Sequence, residues 1–396
     1  MEEKKMVVIG VTGGIAVYKA LDVISRLKKE NVEVNVIMTK AAIEFVNPIS
    51  FQTLSQNIVI QDMFDEPKAW ELQHISLAKK ADLFVVVPAT ANVIGKVANG
   101  ISDDMLTTTI MATKAPVIFA PAMNVNMYNN KIVQNNIKKL KEVGYDFIAP
   151  AIGRLACGDI GEGKLAQTED IFEIIMSKLY PIKDMIGTKV LVTAGPTIAP
   201  IDPVRYITNR STGKMGYAIA KEARDRGAVV TLISGPCNEK IPFGVTVIKI
   251  NTNEEMRSEV LNNYEESNIV IKAAAVSDYK PKEYSKNKIK KSEDSLNVEF
   301  VKDNDILKEL GLHKKNQILV GFAAESNDLL QNAKGKLIKK NLDYIVANDI
   351  TKADVGFGTE ENKVIILSKD NDPVALDKMS KKQVARELLN LINKKR

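Results

Sequence analysis

Residues 153–164 read GRLACGDIGEGK, a loop with four glycines in twelve positions and one cysteine, Cys157, which lies 33 residues beyond Asn124 of a PAMN segment, Pro121–Asn124. Glycines leave the backbone mobile or free to take positive φ, which suits a flap that carries Cys157 into a site. A thiol delivered in that way can give up a proton. The competing reading is a buried structural thiol on an ordinary turn. The other cysteine is Cys237, and His74 and His313 are the only histidines, so no recognised zinc spacing exists. No serine lies in a GxSxG elbow, which argues against serine-hydrolase chemistry.

A second set of residues suits phosphate. TAGPT at Thr193–Thr197 follows a strand-like run, and TNRSTGKMG at Thr208–Gly216 opens a helix with glycines and cations, the form of a phosphate cradle, although it does not spell a Walker motif. GVTGGIAVYKA from Gly10 is another strand-to-helix turn, and it lacks the GxGxxG dinucleotide fingerprint. PATANVIGKVANGISDDML at Pro88–Leu106 places Thr90, Asn92 and Ser102 just past strand ends, where ligands of open sheets bind. Ser102, Asp103 and Asp104 also read simply as a helix N-cap.

These residues need a scaffold, and the chain encodes two. Short β-branched runs at Met6–Ile9, Glu33–Met38, Leu83–Val87 and Val117–Ala120 alternate with amphipathic stretches, the signature of a doubly wound parallel sheet. A helix from about Glu169 to Leu179 closes this unit, and Pro181 and Gly187 place a boundary near residues 182–188. The pattern then restarts, with strands expected at Lys189–Thr193, Val229–Ser234, Val245–Ile250, Ile269–Lys272, Ile318–Phe322, Asp343–Ala347 and Lys363–Ser368. The lysine-rich stretch Lys280–Lys291 reads as an exposed loop or hairpin.

Composition narrows the class. With 396 residues, 45% apolar and 26% charged, the chain can build two full cores. A net charge of +6 from 55 basic and 49 acidic residues is too mild for a nucleic-acid partner and suits anionic small molecules. Two separated cysteines, a charged N-terminus without a leader and no apolar run of membrane-spanning length predict a cytoplasmic enzyme without a membrane partner.

His74, PAMN and the LACG loop, followed by TAGPT, TNRSTGKMG, IKAAAVSDYK at Ile271–Lys280, KIKK at Lys288–Lys291, GFAAES at Gly321–Ser326 and KLIKKNLDYIVAND at Lys336–Asp349, resemble in order the bifunctional phosphopantothenoylcysteine decarboxylase/phosphopantothenate–cysteine ligase family of coenzyme A synthesis. The resemblance implies two doubly wound α/β domains, a flavodoxin-like HFCD-type flavoprotein domain over residues 1–185 and a Rossmann-like ligase domain over 186–396. It implies FMN held by Gly13, Ile15, Thr39, Thr90, Asn92 and Met123. It implies Cys157 as proton donor, His74 as base or electrostatic partner, and Asn124 as the substrate-carboxylate ligand. Where the family writes PAMNxxMW, this chain has Tyr128. A flavin is needed because an N-acylcysteine carboxylate has no electron sink until the thiol is oxidised to a thioaldehyde.

For the ligase, the resemblance implies activation of 4′-phosphopantothenate by a nucleoside triphosphate, CTP in the bacterial type, with Mg²⁺ and loss of pyrophosphate, then attack by the amine of L-cysteine. By the same resemblance Asn209 and Lys288 take the activation and intermediate-processing roles. Asp278, Phe322, Lys336 and Lys340 contact nucleotide, Asp278 also being the candidate metal contact, and Ala274 and Ala275 line the acyl intermediate. A homo-oligomer follows from the same resemblance. A flavin-binding regulatory protein is the non-enzymatic alternative, which the intact LACG loop and complete ligase half oppose. A pyridine-nucleotide oxidoreductase would need the missing dinucleotide fingerprint.

Overall fold

Runs such as MVVIGV and LFVVVPA carry apolar side chains in both directions, so each must be covered above and below, and helices supply both covers. The computed structural model describes residues 4–64, 73–290, 296–325, 328–349, 359–369 and 371–394. Of the motifs above, Lys291 and Ser326 lie outside the described residues. The chain falls into two units, Met1–Leu179 and Tyr180–Arg396.

In the first unit, β1 (Met6–Val11), β2 (Glu33–Met38), β3 (Leu83–Ala89), β4 (Val117–Pro121) and β5 (Asp146–Phe147) form a parallel sheet in the order β2-β1-β3-β4-β5. Alternation along β1 divides two cores. Val7, Ile9 and Val11 pack on one face with Ile24, Leu27, Phe51 and Ile175, while Met6 and Val8 pack on the other with Ile94, Leu106 and Phe119. Each such side chain contributes about 1.5–3 kcal/mol by leaving water. The strand order is flavodoxin-like, and its switch point between β1 and β3 opens a crevice at the strands' carboxyl ends.

Beyond β5, the strands β6 (Ala151–Arg154) and β7 (Ile160–Lys164) pair antiparallel as a hairpin with Cys157 in its turn. The turn closes through Leu155 N–H to the Asp159 carbonyl at 2.8 Å and Gly158 N–H to the Leu155 carbonyl at 3.0 Å, with Gly158 at φ +95°. Two of the loop's glycines serve close packing. A Cβ on Gly163, at φ +131°, would lie 2.4 Å from the Met123 carbonyl oxygen, and one on Gly161 would lie 3.0 Å from Val125 Cγ1. The idea of four glycines loosening a flap is thus revised: the hairpin is seated on PAMN itself and on Val125 just after it, and Met123 N–H donates to the Gly163 carbonyl at 2.9 Å.

The second unit contains β8 (Lys189–Ala194), the ladder of β9 (Ile198–Pro200) with β10 (Tyr206–Thr208), then β11 (Val229–Ser234), β12 (Thr246–Lys249) and β13 (Ile269–Lys272). A second ladder pairs β14 (Tyr279–Pro281) with β15 (Phe300–Lys302), so the lysine-rich stretch begins inside a two-stranded element. Then come β16 (Ile318–Glu325), β17 (Tyr344–Asp349), β18 (Glu361–Asn362), β19 (Val364–Ser368), β20 (Val374–Ala375) and β21 (Met379–Ser380). The main sheet runs β12-β11-β8-β13-β16-β17-β19-β20, parallel from β12 to β17 and antiparallel beyond. Its parallel part follows the Rossmann order, with the switch point between β8 and β13. The sheet again divides two cores, one against the helices Lys214–Asp225 and Lys381–Lys394, the other against Asn253–Tyr264 and Leu329–Lys339.

Candidate functional sites

At the switch point of the first unit lies a cleft of about 820 Å³, lined among others by Thr12, Gly13, Thr39, Thr90, Asn92 and Met127. Thr12 ties β1 to β3, its hydroxyl donating to the Pro88 carbonyl at 2.7 Å and accepting from Thr90 N–H at 3.1 Å. Thr39 and Thr90 cap the helices Lys40–Ile43 and Ala91–Ala98, which turns the amide ends of both towards the cleft. Gly13 is obligatory because a Cβ would meet Ala41 at 2.5 Å, whereas over Gly14 the nearest atom is Thr90 Cγ2 at 3.8 Å. A volume within the range of cofactor pockets, with hydroxyls and helix amides at one end, fits a phosphate-bearing ring system.

Four of the six residues expected at FMN, namely Gly13, Thr39, Thr90 and Asn92, line this cleft. Ile15 stands exposed in the short 3₁₀ turn that follows Gly14, and Met123 is half-buried against the β4 side of the core. Asp104, with Thr107, makes a full capping box for the helix Met105–Ala112, as the N-cap reading of the sequence expects. Burial alone would raise the Asp104 carboxyl, but the Thr107 amide and Lys96, 3.0 Å away, hold it below the usual range.

The hairpin brings the PAMN and LACG motifs together. Asn124 caps the helix Val125–Tyr128, its Oδ1 accepting from Asn126 N–H at 2.8 Å. That contact fixes the amide's orientation and aims Nδ2 at Asp159 Oδ2, 2.9 Å away, and at Cys157 Sγ, 3.4 Å away. The thiol donates to the same carboxylate oxygen at 3.3 Å. Asp159 was missed from sequence, where it reads as a polar turn residue; its spacing two after Cys157 is the only signal. His74 is half-buried in the first turn of the helix Gln73–Lys80, outside the cleft's lining.

The second unit has a cleft of about 550 Å³ at the carboxyl ends of its strands, and Asn209, Ala274, Ala275, Asp278, Phe322, Lys336 and Lys340 all line it. Asn209 Nδ2 donates to the Ala275 carbonyl at 3.1 Å, and Ala275 N–H donates to the Gly195 carbonyl at 3.0 Å, which ties TAGPT, TNRSTG and AAA into one rim. Gly213, at φ +83°, leads into the helix Lys214–Asp225 without a side-chain cap, leaving its amides to the cleft. Gly216 lets that helix close on β8, where a Cβ would lie 2.5 Å from Ala194 Cβ. Lys340 pairs with Asp305 at 2.9 Å, and Lys214 pairs with Glu360.

Lys288 is exposed and outside this lining. Its neighbour Ile289 is held by the buried Asp202, which accepts from Ile289 N–H at 3.2 Å and from Arg205 Nη1 at 2.8 Å. Sequence reading also missed Asn348, Asn362 and Lys381 in the cleft, and the buried Lys272 at the end of β13. Burial pulls the Lys272 ammonium down to about 7, with Asp305 opposing and Lys340 reinforcing the shift, and Asp278 also opposing it. Among the described residues no three His, Cys, Asp or Glu side chains gather as a metal-binding group, and no helix is long and apolar enough to cross a membrane.

Comparison with known proteins assigns both units. Residues 1–180 match the Flavoprotein family model, and residues 185–395 match that of the DNA/pantothenate metabolism flavoprotein C-terminal domain. The chain is 48% identical over 395 residues to the coenzyme A biosynthesis bifunctional protein CoaBC of Bacillus subtilis (strain 168), covering 99% of this chain and 97% of that one. It is 45% identical to the protein of the same description from Borreliella burgdorferi, covering 99% and 100%. The crystal structure of the C-terminal domain of a coenzyme A biosynthesis bifunctional protein CoaBC matches with a TM-score of 0.46 at 40% identity, covering 53% of this chain and 96% of that chain.

Proposed function

Since the chain belongs to the family of coenzyme A biosynthesis bifunctional proteins, we propose that its second unit joins 4′-phosphopantothenate to L-cysteine and its first unit decarboxylates the product to 4′-phosphopantetheine. The observation that carries the reading is the convergence of Asn124, from the PAMN segment, with Cys157 and Asp159 of the hairpin turn, within 3.4 Å of one another.

FMN in the first cleft would be held by Gly13, Thr39, Thr90 and Asn92, with Ile15 and Met123 nearby, and when bound it would take two electrons from the thiol-bearing carbon, which creates the electron sink, and return them as hydride to the same carbon once carbon dioxide has left. The chain's own residues do the rest. Asp159 shows how Asn124 Nδ2 takes a carboxylate oxygen, at 2.9 Å, and the substrate carboxylate exchanges for it there. Cys157, on a turn exposed to the incoming substrate, gives its proton to the carbon that carbon dioxide has left. His74 acts as base or electrostatic partner in the earlier step.

In the ligase cleft, Gly213 and the helix behind it receive phosphate, while Lys336 and Lys340 face the nucleotide with Phe322 and Asp278. Ala274 and Ala275 line the acyl group, Asn209 and Lys288 process it, and Mg²⁺ enters with the triphosphate of CTP. The assembled enzyme is a homo-oligomer. The test is direct: purified protein is yellow, and it releases pyrophosphate from CTP only when both 4′-phosphopantothenate and cysteine are present. Colourless protein after reconstitution, with no pyrophosphate released, contradicts the reading.

A further inference from the structure

The ligase cleft holds a polar atom that no group among the described residues satisfies. Asn348 lines it, and the Asn348 Oδ1 is buried without a hydrogen-bond partner among the described residues. A buried amide oxygen left in that state costs about 1–3 kcal/mol, so it is kept where a ligand supplies the missing donor.

The sheet register says what kind of ligand. Asn348 lies opposite Ala324 on β16 and opposite Val364 on β19, so these three side chains share one face, with Phe322 two residues before Ala324 on that same face. Phe322, Ala324 and Val364 also line the cleft, so the unpaired oxygen stands at the end of an apolar, partly aromatic slot. A flat ring with a donor on its edge fits that slot. A neutral donor suits it better than an ammonium group, because Lys214, Lys336, Lys340 and Lys381 outnumber Asp278 in the lining even with Lys214 and Lys340 ion-paired.

We propose that Asn348 is a specificity-determining residue that reads the nucleobase, its Oδ1 accepting from an exocyclic amine. The site then selects triphosphates whose base carries an amine at that edge, cytosine or adenine, against uracil, whose carbonyl would meet the amide oxygen acceptor to acceptor. A site built to hydrogen-bond a donor rejects the analogue that lacks it far more strongly than an apolar pocket rejects a missing methylene. This inference rests on the ligase reading above.

The test compares CTP with UTP in full-length protein, with pyrophosphate release measured at saturating 4′-phosphopantothenate and cysteine. The wild type prefers CTP by about 100-fold or more in kcat/KM. In Asn348→Leu that ratio falls to within about tenfold through a raised KM for CTP, while the KM for cysteine stays within about twofold. Asn348→Asp keeps an acceptor and keeps the preference. Decarboxylation of supplied phosphopantothenoylcysteine by the same preparation reports on folding of the other unit, and Asn348→Ala is read in the same way if the leucine variant does not fold. An unchanged CTP-to-UTP ratio in the leucine or alanine variant overturns the proposal, as does a rise confined to the KM for cysteine or a wild type that uses both triphosphates equally. A wild type that turns over neither CTP nor ATP removes the ligase reading itself, a different outcome.

Discussion

Asn124 Nδ2 lies 3.4 Å from Cys157 Sγ, and the amide is locked in that direction because its oxygen caps the helix Val125–Tyr128. Two motifs 33 residues apart in sequence therefore form one site, with Asp159 between them. Cys157→Ser is expected to leave ligation intact and to stall decarboxylation after the yellow cofactor has bleached. Stopped-flow absorbance with mass analysis of the product checks this, and normal 4′-phosphopantetheine formation removes Cys157 from the mechanism.

Asp159→Asn replaces the acceptor of the thiol's hydrogen bond by an amide that can present either end. The variant should lose about 10- to 100-fold in decarboxylation kcat, with a smaller effect on KM, because Asn124 still receives the carboxylate. Asn124→Asp should do the reverse and chiefly raise KM, since two carboxylates would face each other.

Gly163 makes a prediction about the hairpin. Gly163→Ala combines a left-handed φ of +131° with a Cβ 2.4 Å from the Met123 carbonyl oxygen, so the hairpin must lift from its seat. The cost is on the order of 2 kcal/mol. Decarboxylation should fall steeply while CTP-dependent ligation persists; equal loss of both would show general misfolding.

Lys272 gives the ligase unit a pH dependence. Its ammonium titrates near 7 in the folded chain, with burial the main cause, against a usual lysine value near 10.4 when unfolded. Between those values the unfolded chain binds the extra proton, so this group makes stability rise with pH by up to about 1.4 kcal/mol per unit from about pH 7 to 10. Asp305, Asp278 and Lys340 are the charged groups facing it. Lys272→Met should flatten that slope and stabilise the unit below pH 7 in denaturant titrations. A slope unchanged in the variant would show that Lys272 does not carry it.

Periodicity made the scaffold legible. Both parallel sheets could be placed from runs such as LFVVVP, because a strand buried on both faces must be apolar at every position, and most bounds fall within a residue or two. The hairpin β6–β7 was not foreseen, since its glycines read as looseness when Gly161 and Gly163 instead permit contact with Val125 and Met123. The motifs themselves were legible, whereas the parts played within them by Asp159, Asn348 and Lys272 were not. Their significance comes from what the fold sets beside them: a thiol, an apolar slot without a donor, and a burial that no local pattern announces.

The central claim is that one chain carries both reactions. Mass analysis of the wild type supplied with 4′-phosphopantothenate, isotopically labelled cysteine, CTP and Mg²⁺ tests it most directly. The account predicts 4′-phosphopantetheine carrying the label, with one pyrophosphate and one carbon dioxide released per molecule. Absence of labelled 4′-phosphopantetheine, whether or not the acyl-cysteine accumulates, would contradict it.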